Sequence, residues 1–186
     1  MQTSKTHPEN FTMMFKKTLL AAAMIAFGGF AMTATAGVAT GTFKVSLQVN
    51  AACAVNTAGS NITLAPVNAG ATTAILPGTF TVNCSNKTPF FVGLAPSNNN
   101  TAGAGTLAGT SGNLATIAYA LYQDVGAATP WGNTATSSSK GNGESGTGGG
   151  MAAGKAVSFT AYANATGTTD VQPDTYSDTV TISVNF

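Results

Sequence analysis

Chemistry at a protein surface needs a nucleophile with a base, a set of metal ligands, paired carboxylates or a cradle for phosphate. Each can be sought by residue type and spacing. The 186-residue chain has one histidine, His7, two cysteines, Cys53 and Cys84, and no arginine. A Ser-His-Asp or Cys-His arrangement has no histidine to use beyond residue 7. A metal cluster needs His, Cys or carboxylates in sets, and none is spaced for one. Two carboxylates for glycoside hydrolysis are arithmetically available. However, Asp170, Asp174 and Asp178 fall within or beside "TTDVQPDTYSD", a stretch where Asp caps and turns the backbone. The run "GGMAAGKA" at 149–156 has the spacing of a phosphate loop, but Ala156 stands where Ser or Thr must hold the metal. Trp131, Tyr119 and Tyr122 could line a sugar site, although aromatic residues in strands more often pack in a core. The expectation is no catalytic residue, no metal site and no cofactor.

The segment ahead of any fold is "MMFKKTLLAAAMIAFGGFAMTATAG". Lys16 and Lys17 make a basic start, Leu19 to Met32 an apolar run, and Ala34-Thr35-Ala36 a small-residue cleavage site. Together these read as a secretory signal peptide over residues 1–36. The apolar run is shorter than the roughly 20 residues a spanning helix needs, so no membrane insertion is expected. Met13 or Met14 is a candidate start. Residues 37–186 then hold four lysines against five carboxylates, a net charge of −1. That balance excludes a phosphate backbone as partner, so no nucleic acid is expected. Export also bears on the two cysteines. They form a bridge or stand as buried free thiols, and an oxidising compartment favours the bridge.

The elements that would position any site are short strands joined by Gly, Ser, Thr and Asn. Candidates are 42–49, 61–67, 78–84, 89–95, 116–123, 155–162 and 177–186, rich in β-branched and aromatic residues. No stretch carries a helical stripe with caps. About seven such strands imply an all-β, immunoglobulin-like sandwich in one domain. Residues 97–113 and 132–150 read as loops. The second has seven glycines and little to bury, so it is expected to be mobile.

The two ends of the exported part are both one-sided strands. Phe43, Val45, Leu47 and Val49 alternate with Lys44, Ser46 and Gln48, and the same parity continues upstream through Gly41 and Ala39. At the other end Val180, Ile182, Val184 and Phe186 alternate with Thr179, Thr181, Ser183 and Asn185, and no turn or polar tail follows. A strand with an apolar face needs a sheet, and an edge without lysine, proline or bulge needs covering. Either the two ends pair within one chain, or the last strand takes a strand from another molecule.

The blocks "AACAV", "FTVNCSNKTPFFVGL", "IAYALYQDVGAATPWGN" and "PDTYSDTVTISVNF" resemble the spore coat U domain family, and within it the major pilins of Csu-type pili of the archaic chaperone–usher pathway. The resemblance covers nearly all of residues 37–186. It implies an incomplete immunoglobulin-like sandwich completed by donor-strand complementation, with 37–50 as the donor segment and 51–186 as the pilin domain. It implies a fimbrial subunit, not an enzyme, that serves surface attachment and biofilm formation at the cell surface. Its implied partners are a periplasmic chaperone, an outer-membrane usher, identical subunits and other pilus subunits. Ala39, Gly41, Phe43, Val45, Leu47 and Val49 would be the donor strand. Val180, Ile182, Val184 and Phe186 would line the acceptor groove and meet the chaperone. Cys53 and Cys84 would tie the start of the body to the sheet. A secreted coat or matrix protein of the same fold and a glycan-binding module are the alternatives.

Overall fold

The computed structural model describes residues 37–58 and 61–186, so the signal peptide read over 1–36 lies outside the described residues. Nine strands follow in order: β1 (Cys53–Asn56), β2 (Leu76–Cys84), β3 (Pro89–Ala95), β4 (Ala104–Gly109), β5 (Thr116–Tyr122), β6 (Glu144–Thr147), β7 (Val157–Ala165), β8 (Tyr176–Ser177) and β9 (Thr181–Asn185). Among the described residues there is no helix. Residues 47–186 form one compact unit.

Every pairing is antiparallel. One sheet has six strands in the order β1-β2-β7-β5-β4-β8, and the other three in the order β6-β3-β9. The period of two decides which residues meet between them. Phe80, Val82 and Cys84 of β2, Phe90, Val92 and Leu94 of β3, Tyr119 and Leu121 of β5, and Phe159, Ala161 and Ala163 of β7 form the buried core. Trp131, which belongs to no strand, is wholly buried among them. Its indole Nε1 donates to the Val92 carbonyl at 3.0 Å, which satisfies the one polar atom its burial would strand. Its ring centroid lies 5.9 Å from that of Phe80 and 6.2 Å from that of Phe159.

Several expected elements differ. Residues 42–49 and 61–67 form no strand, because neither finds a neighbour to pair with among the described residues. Residues 97–113 contain β4, whose Leu107 pairs opposite Ile117. The stretch 177–186 is two elements: β8 pairs with β4 in the large sheet, β9 with β3 in the small one, and residues 178–180 cross between. The glycine-rich stretch 132–150 contains β6 and is tied down. Asn142 Nδ2 donates to the Thr101 carbonyl at 2.8 Å, the Asn142 N–H to Thr134 Oγ1 at 2.9 Å, and the Gly148 N–H to the Thr88 carbonyl at 2.8 Å. A Cβ at Gly146 would run into the Phe90 ring. Its glycines therefore serve close packing, a purpose that composition alone does not reveal.

Candidate functional site: an open groove beside β9

The interior of the sandwich is unevenly filled, and the register of β2 against β7 shows why. Val82 faces Val157 and Phe80 faces Phe159, but the next inward pairs are Gly78 with Ala161 and Leu76 with Ala163. Large residues meet at one end, and at the other each pair includes a glycine or an alanine. On the facing sheet Leu94 pairs with Ile182, and both line the space beside Gly78 and Ala161. The result is a cavity of about 980 Å³, walled by Gly78, Leu94, Leu107, Ala161, Val180 and Ile182. The space is open to solvent on one side and is bordered by residues 61–69 and 171–179 as well as by the strands, so it is a groove leading into the sandwich.

The strand beside the cavity is unpaired along one edge. β9 bonds to β3 on one side and to no strand on the other among the described residues. The opposite edge of the same sheet is β6, and it is blunted. It is four residues long and carries Glu144, whose carboxyl is pushed up by burial while Lys140 opposes the shift. β9 has no charge, proline or glycine in Thr181–Asn185, so its free N–H and C=O groups form an open template. Val180, Ile182 and Val184 pack against the core only partly buried. Val180 and Ile182 wall the cavity, whereas Val184 and Phe186 do not, and Phe186 is half exposed. The expected groove row is thus divided, its upstream half on the cavity and its downstream half beyond it.

The start of β9 is fixed by a polar latch. The Tyr119 hydroxyl donates to Asp178 Oδ2 at 2.7 Å, and the Thr179 N–H donates to Asp178 Oδ1 at 2.8 Å. Burial alone would raise the Asp178 carboxyl, but donors from Ser97, Tyr119 and Thr179 together hold it below the usual carboxylate range. Burial, with the hydrogen bond to Asp178 and its charge, pushes the Tyr119 phenol well above its ordinary value. Two other acids serve turns. Asp174 accepts from the Ser111 N–H and hydroxyl, at 3.1 and 2.7 Å, and Asp124 accepts from the Ala128 and Thr129 N–H groups at 3.1 and 2.8 Å.

Sequence reading missed the small floor of the cavity. Its signal was present: Gly78, Ala161 and Ala163 occupy inward parity in otherwise bulky strands. It also missed residues 61–69, which border the cavity as unpaired chain, with Ile62 and Leu64 half buried. The residues expected to form a donor strand are exposed. Phe43 is 89% exposed, Val45 83%, Leu47 88% and Val49 82%, and Ala39 and Gly41 are exposed with them. Cys53 and Cys84 are bonded, with an S–S distance of 2.02 Å.

The chemistry weighed from sequence finds no support in this geometry. Trp131 and Tyr119 are buried in the core and offer no stacking face to a sugar, whereas Tyr122 is half buried. Residues 149–156 form a turn that leads into strand β7, where a phosphate loop leads into a helix. Among the described residues no group of three or more His, Cys, Asp or Glu could hold a metal ion. Among them, too, no helix is long and apolar enough to cross a membrane.

Comparison with known proteins follows the fold. The family model of the Spore Coat Protein U domain matches residues 39–183, and the chain belongs to that family. No curated protein matches it. Among solved structures it is similar to a chain of the CsuC–CsuE chaperone–tip adhesion subunit pre-assembly complex from the archaic chaperone–usher Csu pili of Acinetobacter baumannii. The identity is 19% and the TM-score 0.42, over 74% of this chain and 40% of that one. This chain thus spans less than half the length of that relative.

Proposed function

We propose that this member of the Spore Coat Protein U domain family is a structural, non-enzymatic subunit of a surface fibre, completed by a strand from another molecule. The observation that carries the reading is the pairing of an unfilled apolar groove beside the bare edge of β9 with an exposed one-sided segment, Phe43 to Val49, in the same chain. Burying Phe43, Val45, Leu47 and Val49 would contribute roughly 6–12 kcal/mol at about 1.5–3 each, before the costs of association.

The route is the one that the resemblance to Csu-type pilins implies. The exported subunit, residues 37–186 after loss of the signal peptide, meets a periplasmic chaperone that lends a strand to the groove. At the outer-membrane usher, residues 38–49 of the next subunit take that strand's place. Phe43, Val45, Leu47 and Val49 face the groove, Ala39 and Gly41 form the thin end of the insert, and Val180 and Ile182 receive it in the groove while Val184 and Phe186 continue the row along β9 beyond it. A head-to-tail contact of this kind does not close on itself, so it propagates. The fibre, with other pilus subunits, serves attachment and biofilm formation at the cell surface. Deleting residues 37–49 tests the reading. The truncated subunit should still bind its chaperone and form no fibres by electron microscopy. Fibres at normal yield would refute it.

A further inference from the structure

We propose that the Cys53–Cys84 bridge is a mechanical clamp, placed to pass tension from the N-terminal segment directly into the buried end of β2. The inference rests on the reading that residues 38–49 are held by another molecule, because only then is that segment under load.

The position of the bridge carries the argument. Cys53 opens β1, and its register partner is Cys84, the last residue of β2. Any pull on residues 38–49 therefore reaches the body at the bridged residue. The flanking residues reinforce the junction. The Ser85 N–H donates to the Ala52 carbonyl at 2.9 Å, and the Ala52 N–H donates to Ser85 Oγ at 3.0 Å.

Without the bridge the load would have to pass along β1, and β1 is poorly built to bear it. It is an edge strand with four register pairs, all to β2, and Ala54, Val55 and Asn56 are exposed. Beyond it, Asn61 to Ile75 form no strand; Ile62 packs against the core and Ala71 and Thr73 bond to Thr169 and Ala165, a far weaker hold than a sheet register. By contrast, β2 pairs with β7 over seven residues. Cys84 and Val82 are fully buried and Phe80 is 3% exposed. Phe80 also stacks on Phe159 with ring centroids 5.5 Å apart. The bridge bypasses the weak path and delivers tension to the strong one.

Single-molecule extension of the full-length chain tests this. Click-reactive handles are placed at position 50 and after Phe186, and in a second molecule at position 114 and after Phe186. Leu114 is 96% exposed, so its handle disturbs no packing. Through position 50, reduction should add an early low-force step that releases the chain ahead of β2. Through position 114, reduction should leave the first event unchanged. A first event through position 50 that is identical in oxidised and reduced molecules overturns the clamp, and so does an equal weakening of both vectors. Should the reduced chain fail to fold, the oxidised chain decides. It must yield at higher force through position 50 than through position 65, between β1 and β2, and equal forces overturn the proposal. No fibre is needed, so a failure to polymerise would count against the donor-strand reading and leave the clamp standing.

Discussion

The sandwich has two ends built from the same strands. At one, Phe80 pairs with Phe159, Phe90 meets Phe159 edge-on at 5.9 Å, and Trp131 fills the space between the sheets. At the other, Gly78 pairs with Ala161 and Leu76 with Ala163, and a groove of about 980 Å³ opens beside Gly78 and Ala161. The closed end is filled by its own aromatic side chains, whereas the open end is floored by small buried residues with a groove beside them. A fold of this kind has stability concentrated at one end and a vacancy for foreign side chains at the other, so the two ends should answer differently to the same class of mutation.

The largest effect belongs to the closed end. Trp131→Ala or Phe159→Ala should cost roughly 3–5 kcal/mol, read by denaturant unfolding, because the packed surroundings cannot collapse onto the void. An appended strand should not restore the loss. Cys53→Ser or Cys84→Ser should come next, at roughly 2–5 kcal/mol, seen as lower abundance of the exported protein. Mass spectrometry that found both thiols free would remove this prediction.

At the open end the sign of the comparison changes. Ala161→Leu adds bulk where there is room, so stability should move by less than about 1 kcal/mol, against the usual 1–3 for overfilling a packed core. The same substitution should abolish uptake of a peptide copying residues 38–49. Equal destabilisation at both ends would erase the distinction. The smallest effect concerns pH. Asp178 is held below the usual range in the fold, so its contribution is present above its unfolded pKa of about 3.9 and is lost as pH falls through the lowered folded value. Thermal unfolding between pH 5 and pH 2 should show a shallower acid decline in Asp178→Asn than in the parent.

Much of this was legible in the residues. The all-β class, β3 over 89–95 and the inward parity of Val180, Ile182 and Val184 follow from alternation alone. The run holding Tyr119 and the run holding Asp178 stood out as separate motifs, and the hydroxyl–carboxylate contact joins them. Two things were hidden. Alternation marks which face a strand buries but not what opposes it, so Gly78 and Ala161 could not be placed across from each other before the register was known. Composition likewise misled over 132–150, where glycine reads as freedom but serves to let backbone approach Phe90. Residues 42–49 alternate as strictly as any true strand and still form none, because a pattern specifies a strand only where a neighbouring edge exists.

That last contrast sets the decisive measurement. A copy of residues 38–49 is fused after Phe186 through a short flexible linker, which raises its effective concentration to about the millimolar range. The account predicts a soluble monomer that melts well above the parent chain and forms no fibres. Leu47→Asp in the appended copy should cancel the gain by placing an unpaired charge in an apolar groove, and Gln48→Asp should leave it intact. A fusion that melts with the parent, or a Gln48 change as damaging as the Leu47 change, would contradict the claim that this groove receives that face of the strand.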